Sequence, residues 1–136
     1  MEKITVEVFL KALLKDAWKK WTDPEAIINW NFASNDWCCP KAINALRNNG
    51  KFSYRMEAKD GSFGFDFSGE YLNVVPYKKI TYKLGDEREV EIEFIEEKEG
   101  IKVKEIFDPE RVNSIELQRT GWQAILDNYK KFVERK

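Results

Sequence analysis

The chain has no histidine among its 136 residues. Imidazole is the usual side chain for moving protons near neutral pH and a common metal ligand. Its absence excludes Ser-His-Asp and Cys-His catalysis. Cysteine is scarce as well, because Cys38 and Cys39 are the only two and they are adjacent. Adjacent cysteines rarely form a disulfide with each other, so we expect reduced, inert thiols, with no zinc site, no other metal and no cofactor.

Long apolar runs are also missing. No stretch approaches the ~18 apolar residues of a membrane-spanning helix, and residues 1–6 lack the apolar core of a signal peptide. Charged residues make up 35% of the chain and the mean hydropathy is −0.59. We therefore expect a soluble, cytoplasmic protein that has no membrane partner.

No excess of charge of one sign is present. The net charge is −1, from 23 basic and 24 acidic residues that are interspersed. A protein that follows nucleic acid phosphates needs a basic surface. The sequence therefore argues against a nucleic acid partner.

Tryptophan, by contrast, is concentrated in one segment. Four of the five tryptophans, Trp18, Trp21, Trp30 and Trp37, lie within 20 positions, and Trp122 follows far along the chain. Tryptophan is costly to leave in water and large enough to wall a cavity. Helical spacing favours a core role for Trp18 and Trp21, whereas Trp30 and Trp37 fit either the core or a pocket rim. We infer that the two ends of the chain meet over a β-sheet and enclose an apolar pocket.

The order of periodic segments predicts an α+β fold in one domain, residues 1–136. Helical spacing predicts short helices at 11–22 and 24–30 and a long helix at 114–134, with Asp23 and Pro24 as a helix start. Residues 31–49 have no clean period, apart from a possible helical turn at 42–46. Alternation of apolar residues predicts six antiparallel strands: 4–10, 52–56, 63–71, 80–84, 90–94 and 101–107. The long helix would cover one face of this curved sheet, and the glutamates that alternate through residues 89–93 would mark the wet face.

Four stretches carry a resemblance to a known family. They are residues 21–25 (WTDPE) with Trp30, residues 50–62 with 56–62 reading MEAKDGS, residues 64–71 (GFDFSGEY) and residues 121–128 (GWQAILDN). Together they resemble the START-like, helix-grip superfamily, also called SRPBCC, over residues 3–134. Within it the chain is similar to small bacterial members of the family related to the C-terminal domain of the heat-shock-protein-90 ATPase activator. The resemblance implies a helix-grip fold, in which a curved antiparallel sheet of six strands wraps around the long C-terminal helix and two short helices follow strand one.

An excess of aromatic side chains surrounds the predicted space between sheet and helix. Phe63, Phe65 and Phe67 fall on one face of their strand, opposite Phe52, Tyr54, Met56 and Trp122. This pattern fits either ordinary sheet core or the wall of a site for a flat or lipid-like ligand. The candidates for the cavity lining are Trp30, Trp37, Phe52, Tyr54, Met56, Phe63, Phe65, Phe67, Glu105 and Trp122.

Glu105 is the most specific polar candidate for the predicted cavity. It shares strand parity with Val103 and Phe107, the inward set. An inward carboxylate needs a partner or a raised pKa. The alternative is a local register break that turns Glu105 outward, since Ile106 is also apolar.

Three functions remain open at this stage, and no catalytic residue is assigned. The first is non-catalytic binding of a small apolar or aromatic ligand in the sheet–helix cavity. The second is a cyclase- or lyase-like enzyme in which Glu105 or Tyr54 moves a proton. The third is a chaperone-interacting stress protein, with the chaperone as partner. An open cavity with a converging Glu105–Tyr pair would favour the enzyme, and a filled core with an exposed apolar patch would favour the interaction protein.

Overall fold

The computed structural model describes residues 2–135. It contains one curved antiparallel sheet of seven strands. The strands lie side by side in the order β1-β7-β6-β5-β4-β3-β2, so every pair from β2 to β7 joins neighbours in sequence. The strands are β1 Ile4–Leu10, β2 Trp37–Asn44, β3 Lys51–Ala58, β4 Gly64–Val75, β5 Lys79–Leu84, β6 Glu89–Glu97 and β7 Gly100–Phe107. The helices are α1 Leu14–Thr22, α2 Pro24–Ile27 and α3 Ile115–Glu134.

Strand β2 is the main departure from the prediction, which had six strands and gave residues 31–49 no clean period apart from a helical turn at 42–46. Residues 42–44 instead end this strand. The register between β2 and β3 shifts between Cys38 and Lys41. A bulge of this kind breaks the two-residue alternation on which strand recognition depends. Pro40 lies within the shifted segment, and β2 is an edge strand, where proline is tolerated.

The two short helices close one end of the sheet. Asp23 ends α1 and begins α2, since its carboxylate accepts a hydrogen bond from the Glu25 backbone N–H at 2.9 Å while Pro24 occupies the first helical position. The buried faces of these helices carry Ala17, Trp18 and Ile27. The break at Asp23 therefore turns two apolar faces toward the same core.

Helix α3 crosses the concave face of the sheet. Its first turn is capped by Ser114, whose hydroxyl accepts a hydrogen bond from the Leu117 N–H at 3.1 Å. Its C-terminal half is packed tightly, because Leu126 and Tyr129 are fully buried and the Tyr129 hydroxyl donates to the Ala17 carbonyl at 2.5 Å. Its N-terminal half is packed less tightly, and the cavity described below lies there. Within residues 2–135, none of the helices combines the length and apolarity that a membrane span requires.

Candidate functional site

A cavity of about 320 Å³ lies between the concave face of the sheet and the N-terminal half of α3. Its volume is near the lower end of the range for small-molecule sites, ~300–1,000 Å³. Eight aromatic side chains line it, together with six polar or charged ones: Asn31, Arg88, Glu105, Glu110, Asn113 and Gln118. The aromatic lining consists of Trp21, Trp30, Tyr54, Phe65, Phe67, Tyr71, Tyr82 and Trp122.

The sheet contributes its wall through strand alternation. Tyr54 and Met56 are two residues apart on β3, and Phe65 and Phe67 are two residues apart on β4. These strands pair in register, Tyr54 with Phe67 and Met56 with Phe65. Because successive side chains on a strand point to opposite faces, this register places all four side chains on the cavity side.

Helix α3 contributes one face. Leu117, Gln118, Gly121, Trp122 and Ile125 all line the cavity, and their spacing of three and four residues is that of a single helical stripe. Gly121 lies at the centre of this stripe, and a Cβ added to it would meet no atom within 4 Å. The missing side chain therefore leaves part of the cavity open.

Trp30 fixes the inner wall. Its indole N–H donates to the Lys20 carbonyl at 2.9 Å, and its ring packs against Trp21 and Tyr129 with centroids 5.1 and 4.9 Å away. Buried at 4% exposure, it belongs to the core and lines the cavity at the same time. The two alternatives for this residue are thus not exclusive.

Trp122 forms the opposite wall. Its ring stacks on Phe107 at a centroid distance of 3.8 Å and an interplanar angle of 11°. Phe67 meets the same indole edge-on at 6.1 Å. Trp122 is therefore held by β7 and β4 together, even though it lies on the helix.

Trp37 and Phe63 are corrections to the predicted lining. Trp37 begins the edge strand β2 opposite Ala58, at the end of β3 that leads into the β3–β4 turn. Phe63 lies in that turn rather than in β4 and is 61% exposed. The two rings pack together at 6.0 Å outside the cavity, and both contact Phe65, which reaches the cavity rim.

Phe52 is the third correction. It is buried at 3% exposure but is not part of the cavity wall. Its ring lies across Gly69 on the paired strand, so close that a Cβ on Gly69 would come within 2.9 Å of it. Phe52 therefore packs against Tyr54, Phe67 and Tyr82, with ring centroids 4.9, 6.0 and 4.7 Å away.

Glu105 points into the cavity, as strand parity predicts. It is 6% exposed and pairs with Val6 of β1 and Ile92 of β6, both buried. Among the residues that the structure describes, none donates a hydrogen bond or a positive charge to its carboxylate. Every fully buried side-chain oxygen or nitrogen in the same residues has a partner, so the Glu105 oxygens keep contact with the cavity. Burial raises the pKa of Glu105 from 4.5 to about 8.

Three tyrosines, Tyr54, Tyr71 and Tyr82, line the same cavity as Glu105. Burial, followed by the charge of Glu105, raises the pKa of Tyr82 well above its ordinary value. The Tyr71 hydroxyl donates to the Asn44 amide oxygen at 2.5 Å, and burial raises its pKa to about 12. Burial also raises the pKa of Tyr54, with the neighbouring Tyr71 phenol adding to the effect. All three phenols therefore remain protonated and act as neutral hydrogen-bonding groups.

The cavity opens between β4 and the start of α3. Phe65 and Leu117, which belong to its lining, are 41% and 60% exposed. The loop before α3 is held by Gln118, whose amide oxygen accepts from the Glu110 N–H at 2.8 Å and whose amide nitrogen donates to the Asn113 carbonyl at 2.9 Å. Arg88 also reaches the lining, while its Nε donates to Asp86 at 2.7 Å. The mouth thus combines apolar rims with a fixed polar loop.

Several lining residues were not among the candidates. Ile80 and Tyr82 alternate on a predicted strand, so parity could have identified them. Gly121 was visible as a glycine inside a helical pattern. Asn31 and Arg88 lie between periodic segments, where the sequence carries no signal of their position.

Cys39 lies beside the site without lining it. It is 2% exposed, and burial raises the pKa of its thiol to about 11. A protonated, buried thiol is a poor nucleophile. Both cysteines are free thiols, in agreement with the sequence prediction.

A curved sheet that grips a long C-terminal helix around an aromatic cavity defines a START-like, helix-grip protein of the SRPBCC type. The chain belongs to the family described as activator of Hsp90 ATPase homolog 1-like protein, whose model matches residues 11–134.

Solved structures of bacterial proteins agree with this assignment. The AHSA1-like protein from Aeromonas hydrophila is 39% identical, with 97% of this chain and 92% of that chain covered and a TM-score of 0.92. A protein from Cytophaga hutchinsonii is 45% identical over the same shares of the two chains, with a TM-score of 0.85. A protein from Chromobacterium violaceum, 21% identical over the full length of both chains, shares the fold at a TM-score of 0.88. Among curated proteins, none matches this chain.

Proposed function

We propose that the protein binds a small apolar or aromatic ligand in the sheet–helix cavity without transforming it. The cavity volume of about 320 Å³ and the predominance of aromatic rings in its wall support this function. Polar side chains of the lining, among them Asn31 and Glu105, would orient the ligand. The absence of histidine favours binding over catalysis.

The observation that carries the proposal is Gly121. A glycine inside a helix is less stable than alanine by ~1 kcal/mol, and here it faces open space within the lining. A side chain at this position would fill part of the cavity and improve the helix. A residue that lowers stability and preserves an open volume is expected where that volume has a use.

The test fills the cavity from Gly121. Gly121→Leu places four side-chain carbons in the open space, while Thr120→Leu places the same side chain at the preceding, exposed helical position. Binding of the neutral probe N-phenyl-1-naphthylamine is measured by its fluorescence. We expect saturable binding to the parent protein and to Thr120→Leu, and a loss of binding in Gly121→Leu with folding retained.

Equal affinity of the parent and Gly121→Leu for the probe would contradict binding in this cavity. Native mass spectrometry of protein purified from its own host provides a second readout. A small molecule that travels with the parent protein and is absent from Gly121→Leu would identify the natural ligand class.

The enzyme alternative has one observation in its favour. Glu105 is an unpaired carboxylate close enough to Tyr82 for its charge to raise the pKa of that phenol, and both residues line the cavity. A carboxyl group whose pKa is about 8 is suited to accept or donate a proton near neutral pH. Glu105→Gln would abolish such an activity and leave binding of a neutral probe intact.

The chaperone-interacting alternative comes with the family description, activator of Hsp90 ATPase homolog 1-like protein. It would use the surface rather than the cavity, and the exposed Phe63 with the half-buried Trp37 packed against it offers one such place. The open cavity favours ligand binding over this alternative, because a pure interaction protein has no need of a space inside its core.

A further inference from the structure

Among residues 2–135, Glu105 is the one buried carboxylate, and it lies in a cavity wall rich in aromatic rings. From its place among Phe67, Tyr82 and Trp122, we infer that the cavity selects a ligand with an aromatic or apolar body and a single basic amine, whose ammonium group pairs with the Glu105 carboxylate. This inference rests on the proposed function and names the ligand class for the same site.

The rings near Glu105 form a connected group. Phe107 follows Glu105 on the same side of β7, and Trp122 stacks on it at 3.8 Å. Phe67 lies 6.1 Å from Trp122 and 6.4 Å from Tyr82. Aromatic faces within ~6 Å attract a cation, most strongly when water is excluded. An ammonium group at the Glu105 carboxylate would lie beside these rings. Its binding would be stabilised by the ion pair and by the cation–π attraction together.

The charges around the cavity favour a cation over an anion. Within residues 2–135, the ionisable groups of its lining other than the tyrosines are Arg88, Glu105 and Glu110. The charge of Arg88 is matched by Asp86, with which it forms a 2.7 Å ion pair. Glu110 accepts backbone hydrogen bonds from Val112 and Asn113, which hold its pKa low. Once Glu105 has lost its proton, the lining therefore carries excess negative charge, which attracts a cation to the mouth.

In the part of the chain that the structure describes, no neighbouring element supplies Glu105 with a cation. The adjacent strands β1 and β6 present Val6 and Ile92, and the facing helix α3 presents no ionisable side chain to the cavity. The strands β3, β4 and β5 present Tyr54, Tyr71 and Tyr82, which remain neutral. A buried carboxylate without a cationic partner lowers the stability of the fold unless it is protonated or paired. A bound ammonium group would supply the missing partner.

The test compares three ligands of one shape by isothermal titration calorimetry. They are 2-(2-naphthyl)ethylamine, the neutral 2-(2-naphthyl)ethanol and the anionic 2-naphthylacetate. At pH 8 we expect the amine to bind on the order of tenfold tighter than the alcohol, as a hydrogen bond between charged groups predicts, and the anion to bind weakest. Amine affinity should increase from pH 6 to pH 8, since Glu105 must lose its proton to form the pair, and then level off.

Glu105→Gln keeps the side-chain shape and removes the charge. The variant should lose the preference for the amine and keep its affinity for the alcohol, which also shows that it is folded. Glu7→Gln, on the exposed face of β1, is the control for net charge and should retain the preference.

Two results would overturn the inference. If the alcohol binds the parent protein as tightly as the amine, or if Glu105→Gln keeps the preference, the amine is not selected by Glu105, while ligand binding in the cavity stands. If none of the three ligands binds, and N-phenyl-1-naphthylamine does not bind either, the proposed function fails together with the inference.

Discussion

Replacing Glu105 by glutamine should stabilise the protein by an amount that depends on pH. The pKa of Glu105 is raised from 4.5 to about 8 in the folded state, so between these values the folded protein holds a proton that the unfolded chain has released. The free energy of unfolding of the parent protein therefore falls as pH increases from about 4.5 to about 8 and then levels off. Glutamine does not titrate, so the free energy of unfolding of the variant lacks this decrease with pH.

The magnitude follows from the size of the pKa change. Each pKa unit corresponds to ~1.4 kcal/mol, which gives a difference between variant and parent of about 5 kcal/mol above pH 8 and about 3 kcal/mol at pH 7, fading toward zero near pH 4. The amide has its own constant burial cost. The informative quantity is therefore the change of the difference with pH rather than its value at one pH.

Urea denaturation followed by tryptophan fluorescence measures this difference from pH 4 to pH 9. The control is Glu7→Gln, which removes a carboxylate from the exposed face of β1. Carboxyl-carbon NMR titration of the folded parent protein reports the pKa of Glu105 directly. A stability difference that does not vary with pH, or a Glu105 that titrates near 4.5, would refute the assignment of an unpaired, buried carboxylate.

Three further predictions follow from the packing. Gly121→Ala should raise the free energy of unfolding by ~1 kcal/mol in urea denaturation, because the added Cβ meets no atom within 4 Å; a loss of stability would show that the space is not free. Trp30→Ala should lower the free energy of unfolding by ~3–5 kcal/mol and weaken binding of N-phenyl-1-naphthylamine, and normal probe binding in the folded variant would leave Trp30 with a core role alone. Cys39, whose pKa burial raises to about 11, should react with iodoacetamide at pH 8 only after unfolding, as followed by peptide mass spectrometry; alkylation in the native protein would contradict its burial.

The inward direction of Glu105 was accessible from the sequence because strand parity is local. Ile101, Val103 and Phe107 set the inward side of β7, and the two-residue repeat extends it to Glu105. The helix starts at Asp23 and Ser114 are equally local, since each cap uses a side chain within three residues of the N–H that it accepts. Such features depend only on neighbours in the chain.

Strand β2 was missed because its pattern is interrupted. The register shift between Cys38 and Lys41 interrupts the alternation of inward and outward side chains. The segment is a strand because it pairs with β3. Trp37 and Phe63 were placed in the cavity for a related reason. Alternation says which face a residue takes within a strand, but it does not say where the strand ends, and Phe63 falls one residue before β4 begins.

The class of this fold and the inward set of each regular strand follow from local sequence, because alternation, helical spacing and caps are properties of a few neighbouring residues. Which inward residues fill the core and which face open space depends on packing between distant segments. Phe52 is removed from the cavity by the close approach of Gly69 on another strand, and Gly121 opens the cavity because the N-terminal half of α3 packs less tightly on the sheet than the half that carries Leu126 and Tyr129. These are distances between segments far apart in sequence, and they depend on the packing of the whole chain.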